Sequence, residues 1–114
     1  MAARKKSPPG DMDSEIRERQ VRICKAFANT TRLHMLDLLG LQEWPVSELQ
    51  AKVGISKANL SQHLAVLKSA GIVRTRREGR TIYCSLAIPE VKSACQLIRD
   101  VLRIQLRNGQ KLTV

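Results

Sequence analysis

The chain has 114 residues and a formal net charge of +10, from 20 Lys and Arg against 10 Asp and Glu. That length suits one compact domain and excludes two independent cores, and no apolar run approaches the roughly 20 residues needed to span a bilayer. Aromatic residues make up only 3%, so we expect an aliphatic core, and the positive charge predicts a polyanionic partner, nucleic acid ahead of an anionic membrane.

The chain begins with a basic segment broken by Pro8, Pro9 and Gly10, which predicts a disordered arm over residues 1–12. This arm either contacts nucleic-acid phosphates or serves only as a solubilising tail. It lacks the hydrophobic segment of a secretory signal, and the three cysteines lie too far apart for a disulfide framework, so we expect a cytoplasmic protein. The folded domain is predicted over residues 13–108, with a flexible tail over 109–114.

Two helices are predicted after the arm. The first covers residues 13–28 and carries apolar side chains at helical spacing, namely Ile16, Ile23, Cys24 and Phe27. Asn29 or Thr30 can cap the second helix, which Gly40 ends. The residues predicted to lie on its inner face are Leu33, Leu36, Leu38 and Leu39.

A helix-turn-helix is predicted next. Residues 43–54 indicate a turn at Pro45 and a short third helix with Leu49 and Val53 on its inner face. Ser56 then caps a fourth helix. Its apolar residues recur at i, i+4 and i+7 and predict one buried stripe of Leu60, Leu64 and Leu67. Two short helices joined by a tight turn, the second polar on its outer face, are typical of this motif.

A hairpin and a long helix complete the predicted domain. Two strands follow Gly71 and flank a turn at Glu78-Gly79, and Pro89 opens the last helix. The apolar stripe of that helix is Val91, Ala94, Cys95, Ile98, Val101 and Leu102, continued by Gln105. The predicted fold is therefore mainly α with a β-hairpin wing, a winged helix-turn-helix in the order ααααββα.

The fourth helix and the hairpin together predict a surface for duplex DNA. The outer side of the helix has only small or hydrogen-bonding residues, so it can lie in a major groove, where Gln62 can bond bidentately to adenine. A solvated face explains this helix equally well, but the hairpin adds arginines that suit phosphates or a narrow minor groove. The candidate DNA-contacting residues are Ser56, Lys57, Ala58, Asn59, Ser61, Gln62, Arg76, Arg77 and Arg80.

The segment ISKANLSQHLAVLKSAGIVRTRREGRTIYCSL (55–86) resembles the winged-helix core of the ArsR/SmtB family, the arsenic and metallothionein repressors. Its SQHLAVL stretch is similar to that family's recognition helix, and RREGR is similar to its wing. Upstream, KAFANTTRLHMLDLL (25–39) is similar to another family segment. The resemblance implies a homodimeric bacterial repressor of a near-palindromic operator, with the first and last helices at the dimer interface. The long apolar stripe of the last helix agrees with a dimer.

Many members of this family respond to a metal ion or metalloid, but the usual ligands are missing here. The third helix has no cysteine, and the last helix has no histidine, so we expect no metal site and no cofactor. His63 matches a position of the family motif, and we expect it to form a hydrogen bond within the domain rather than bind a metal.

The family also includes thiol sensors, which makes Cys24 and Cys95 candidates for a sensing pair. They lie on the first and last helices, and an oxidant, a sulfur species or a trivalent metalloid could link them and change the spacing of the recognition helices. Alternatively, both are small core residues, because free cysteine is often buried. Cys84 is predicted to pack in the core.

The same basic composition is also compatible with a second class of function, RNA binding. A basic RNA-binding or ribosome-associated protein would use the same charge, and it would prefer structured RNA to duplex palindromes. The sequence offers no nucleophile–base pair and no glycine-rich phosphate loop, so we do not expect an enzyme.

Overall fold

The computed structural model describes residues 12–109, which form five helices and three strands. In chain order these are α1 (Met12–Phe27), α2 (Thr30–Leu39), β1 (Trp44–Pro45), α3 (Val46–Val53), α4 (Lys57–Ser69), β2 (Val73–Glu78), β3 (Thr81–Leu86) and α5 (Glu90–Arg107). The predicted winged helix-turn-helix order is confirmed, with β1 as an addition. The predicted arm and tail lie outside the described residues, apart from Met12, which begins α1, and Gly109, which follows α5.

The strand β1 was not predicted, and the segment at Pro45 is more than a turn. It pairs antiparallel with β3, so that Trp44 lies opposite Cys84 and Pro45 opposite Tyr83, and the sheet has the order β1-β3-β2. The indole Nε1 of Trp44 donates a hydrogen bond of 2.9 Å to the carbonyl oxygen of Leu38. Because β1 is an edge strand, it tolerates the missing N–H of a proline.

Side-chain caps determine where α2 and α4 begin. The Oδ1 atom of Asn29 accepts a hydrogen bond of 3.0 Å from the Arg32 N–H, which selects Asn29 from the two predicted caps. The Oγ atom of Ser56 accepts one of 3.1 Å from the Asn59 N–H, which confirms the predicted cap of α4. At the end of α3, Gly54 adopts φ +79°, a left-handed conformation that glycine reaches without strain.

The core is aliphatic, as the composition predicts. The predicted stripe of α4 is buried, but the predicted inner face of α2 is wrong in part, since Leu33 is 38% exposed whereas Met35 is fully buried. Five of the seven α2 residues from 33 to 39 are apolar, so periodicity alone does not define the inner face of this helix. The buried residues are Ala26, Met35, Leu36, Leu38, Leu39, Leu49, Leu60, Leu64, Leu67, Ile72, Val73, Cys84 and Val91.

The helices α1 and α5 leave apolar side chains in solvent. Val91 is buried and Cys95 and Gln105 are half-buried, but the rest of the predicted stripe is exposed. The large exposed apolar residues of these helices are Met12, Ile16, Val21, Ile23, Leu97, Ile98, Val101, Leu102, Ile104 and Leu106. In the part of the chain that the structure describes, no helix has the length and apolar content needed to cross a membrane.

Candidate nucleic-acid interface

The helix-turn-helix formed by α3 and α4 exposes one side of α4. The Gly54 N–H donates to the Gln50 carbonyl at 2.9 Å and ends α3, and Ser56 caps α4 two residues later. Since the leucine stripe of α4 faces the core, the opposite side of the helix is in solvent. All six residues predicted to contact DNA from this helix are exposed, namely Ser56, Lys57, Ala58, Asn59, Ser61 and Gln62.

The wing is a tight hairpin of β2 and β3. Glu78 pairs with Thr81, so its loop residues are Gly79 and Arg80, one position later than predicted. Gly79 has φ +62°, and no other loop residue has a positive φ, which is the pattern of a type II′ turn. This turn places Arg80 at the tip of the wing.

One face of the wing is turned towards α4. Arg77 lies opposite Ile82 in the hairpin and shares a face with it, because directly opposite residues of an antiparallel pair lie on the same face of the sheet. Ile82 lines a groove of about 390 Å³ together with Lys57, Ser61 and Lys68 of α4. Lys68 was not among the predicted residues, although its spacing of i+11 from Lys57 and i+7 from Ser61 could have placed it on this side.

Arg77 and Arg80 have no carboxylate partner in the described part of the chain. Both are exposed, and no ion pair within residues 12–109 involves either side chain. Two uncompensated guanidinium groups on a thin hairpin attract phosphate oxygens, which guanidinium binds in a bidentate manner.

Arg76, also predicted to contact DNA, is held by groups of the protein. It binds both carboxylate oxygens of Glu43, at 2.7 and 3.0 Å, and its third nitrogen lies 2.6 Å from Glu78. Its guanidinium carbon also lies 4.4 Å from the centroid of the Tyr83 ring. The hydrogen bond from Arg76 lowers the pKa of Glu43, and the bonds to Glu43 and Glu78 raise the pKa of Arg76. Two carboxylates therefore offset its charge.

The two candidate sensing thiols lie in separate grooves. Cys24 is an exposed free thiol in a groove on α1 that Val21 and Lys25 also line. Cys95 is half-buried in a groove between α2 and α5, beside the ion pair of Asp37 and Arg99, whose atoms lie 2.6 Å apart. Burial, and to a lesser extent Asp37, raises the pKa of the Cys95 thiol. The protomer thus does not place these two thiols in a common groove.

The remaining thiol and the histidine of α4 behave as predicted. Cys84 is fully buried, and this burial raises its pKa to about 11. His63 forms a hydrogen bond inside the domain, its Nδ1 atom lying 3.2 Å from a guanidinium nitrogen of Arg32. Among residues 12–109 there is no cluster of three or more His, Cys, Asp or Glu side chains that could hold a metal ion.

Comparison with known sequences relates the chain to helix-turn-helix regulators of transcription. A family model described as a helix-turn-helix domain matches residues 27–76. The chain is 41% identical over 76 residues to the transcriptional activator HlyU of Vibrio cholerae, covering 67% of this chain and 70% of that protein. It is 30% identical over 95 residues to the transcriptional repressor SmtB homolog of Synechocystis, covering 83% and 72% respectively.

Comparison with solved structures extends the similarity to the whole domain. The homodimeric winged helix-turn-helix DNA-binding domain of a possible ArsR-family regulator from Mycobacterium bovis matches with a TM-score of 0.80 and 30% identity, covering 99% of this chain and 100% of that one. The relatives are regulators of transcription, not enzymes. The chain therefore belongs to the ArsR/SmtB family of winged helix-turn-helix transcriptional regulators.

Proposed function

We propose that the protein is a sequence-specific DNA-binding repressor that binds a near-palindromic operator as a homodimer. One observation carries this proposal: the exposed side of α4 lies beside a wing whose Arg77 and Arg80 lack carboxylate partners within residues 12–109. A duplex complements both, since its major groove accepts the helix and its phosphates neutralise the arginines. The Synechocystis relative is a repressor, which supports repression, whereas the Vibrio relative is an activator.

The exposed residues of α4 are assigned to bases or to phosphates according to their chemistry. Gln62 and Ser61 reach base edges, and Lys57 reaches a guanine or a phosphate. The Ser56 hydroxyl accepts the Asn59 N–H and still has its own proton to donate to a phosphate oxygen. Ala58 leaves room for the backbone to approach, and its methyl group suits a thymine methyl. The helix thus supplies sequence readout as well as anchoring.

The wing contributes charge through two of its three predicted arginines. Arg77 and Arg80 are assigned to the phosphate backbone or the minor groove. Arg76 is assigned instead to holding the wing in place, because Glu43 and Glu78 already occupy its donors. Its ring contact with Tyr83, on the same face of the sheet, holds the same side chain.

A second copy of the chain is the partner that the apolar sides of α1 and α5 suit. These two helices carry most of the large exposed apolar side chains of the described residues, and the related domain from Mycobacterium bovis is a homodimer. A two-fold dimer presents two α4 helices to successive major grooves, about 34 Å apart. Such a dimer requires a near-palindromic site.

The proposed input is thiol-based and acts at Cys24 and Cys95, and the alternative is that these cysteines are only structural. Cys24 is exposed and Cys95 half-buried, so an oxidant, a sulfur species or a trivalent metalloid can reach both in the protomer. Both lie on the helices assigned to the dimer interface. A modification there changes the spacing of the recognition helices.

The function is tested by fluorescence anisotropy on duplex DNA from upstream of the protein's own gene. Reduced protein should bind this duplex more tightly than a scrambled duplex of equal length, and structured RNA should compete poorly. Preference for the RNA would contradict the proposal. Mild oxidation should weaken operator binding, and a dithiol should restore it, whereas a Cys24→Ser, Cys95→Ser double variant should not respond. An unchanged affinity after oxidation would favour structural cysteines.

A further inference from the structure

Arg32 connects three helices through one side chain. It lies in the first turn of α2, where its N–H donates to the Asn29 cap at 3.0 Å. Its guanidinium reaches back to the end of α1, donating to the carbonyl of Ala26 at 2.7 Å and to that of Lys25 at 3.1 Å. The remaining nitrogen lies 3.2 Å from the Nδ1 atom of His63 on α4.

The hydrogen bond between Arg32 and His63 has only one direction. A guanidinium group has donors and no acceptor, so Nδ1 of His63 is the acceptor in this bond. The same guanidinium donates to two carbonyls of the last turn of α1, of which that of Lys25 also accepts from the Ala28 N–H, and a positive charge is favoured at this end of a helix. All three guanidinium nitrogens of Arg32 therefore have partners, two at the end of α1 and one on α4.

The position of His63 on α4 makes this bond geometrically important. His63 is half-buried at the edge of the inner side, between the buried Leu64 and the exposed Gln62. The leucine stripe decides which side of α4 faces the core, but apolar contacts have no direction and define rotation about the helix axis weakly. A hydrogen bond at the edge of the stripe defines that rotation, because its geometry is directional.

We infer that the Arg32–His63 hydrogen bond is a positioning contact that fixes the rotation of α4 relative to α1 and so the register of its base contacts. The inference rests on the proposed function, which makes α4 the recognition helix and α1 part of the dimer interface. Sequence-specific binding requires both α4 helices in register on their half-sites, whereas non-specific binding depends on phosphate charge. Loss of the bond therefore lowers specificity rather than general DNA affinity.

The test compares two uncharged replacements of the imidazole. His63→Leu removes the acceptor and keeps an apolar side chain, whereas His63→Asn restores an acceptor at the same number of bonds from the backbone. Anisotropy is measured on the operator duplex and on a scrambled duplex of equal length. We expect His63→Leu to bind the operator about tenfold more weakly, or ~1.4 kcal/mol. Its affinity for the scrambled duplex and its salt dependence should not change, and His63→Asn should recover most of the operator affinity.

Three results would each overturn the inference. The first is an unchanged operator affinity of His63→Leu, and the second is an equal loss on both duplexes. The third is a folded His63→Asn that recovers nothing. A wild-type protein that does not distinguish the two duplexes contradicts the proposed function first, and this inference with it. Thermal unfolding shows whether each variant is folded.

Should His63→Leu not fold, Arg32→Lys replaces it in the same comparison. Lysine keeps the positive charge, but its single ammonium group cannot hold two carbonyls and the imidazole together. Its operator affinity should fall selectively in the same way. An unchanged preference for the operator in Arg32→Lys would contradict the inference.

Discussion

Neighbouring arginines on the wing have different surroundings. Arg76 and Arg77 are adjacent on β2, so their side chains point to opposite faces of the sheet. One meets Glu43 and Glu78, and the other has no ion-pair partner within residues 12–109. The sequence predicts a basic wing but not which arginine is neutralised, because Glu43 lies 33 residues earlier and reaches Arg76 only through the sheet.

This difference predicts different salt dependences for the wing variants. Arg77→Ala and Arg80→Ala should each lower the slope of log affinity against log salt by about one, because each loses one phosphate contact. Arg76→Ala, the matched control, should change the slope less, since two carboxylates already offset its charge. Anisotropy titrations over a range of KCl concentrations measure the slope. An equal change in all three variants would contradict the assignment.

The preference for one base pair of each half-site should depend on Gln62. Gln62→Ala removes a bidentate donor and acceptor, so discrimination should fall by about 1–3 kcal/mol at one base pair of each half-site. The measurement is competition by a set of operators that each carry one base change. Gln42→Ala, at an exposed position outside the helix-turn-helix, is the control and should leave the preferences unchanged. A uniform loss over all the operators would exclude direct readout by Gln62.

The buried thiol should be the slowest to react. The thiolate is the reactive form, and burial raises the pKa of Cys84 to about 11, so little of it is ionised near neutral pH. In the native reduced protein, iodoacetamide should modify Cys84 after Cys95, as peptide mass spectrometry at timed intervals would show. In denaturant the two should react at similar rates. Modification of Cys84 first in the native protein would contradict its buried position.

At the scale of elements, long periodic segments are predictable and short paired ones are not. The leucine stripe of α4 and the turn signal of the hairpin define those elements locally, and the structure confirms both elements. The strand β1 has two residues, and it exists because Trp44 and Pro45 pair with β3 some forty residues later. No local pattern carries that information, since the partner strand supplies the hydrogen bonds. The hydrogen bond of His63 is predicted, but its partner Arg32 is not, for the same reason.

Trp44 connects β1 to the domain, and a smaller aromatic ring at this position removes its hydrogen bond together with part of its packing. Trp44→Phe keeps an aromatic ring but loses the donor to the Leu38 carbonyl, so the free energy of unfolding should fall by about 0.5–1.5 kcal/mol. Urea unfolding followed by circular dichroism measures this change. Ser69→Ala, which removes an exposed hydrogen bond to Val66, is the control and should cost less. An equal loss in both variants would show that the Trp44 bond adds no more stability than an exposed hydrogen bond.

The whole molecule separates a polar and basic surface from an apolar one. The polar side of α4 with Arg77 and Arg80 forms the surface that we propose binds DNA, and exposed apolar side chains of α1 and α5 form the second surface. Monomeric soluble proteins rarely leave so many large apolar side chains in solvent, so the second surface favours association. Two-fold association is also what gives the α4 helices a fixed spacing.

A charge on α5 should separate association from DNA binding. Val101 is 51% exposed on α5, so Val101→Glu should fold but place a carboxylate in the apolar interface, and sedimentation velocity should show a monomer. Leu41→Glu is the matched control, because Leu41 is 76% exposed and lies outside α1 and α5. It should remain a dimer. On DNA, Val101→Glu should bind a single half-site like the wild type and lose the extra affinity for the full palindrome. That extra affinity arises only when two linked α4 helices bind one duplex, and a dimeric Val101→Glu would place the interface elsewhere.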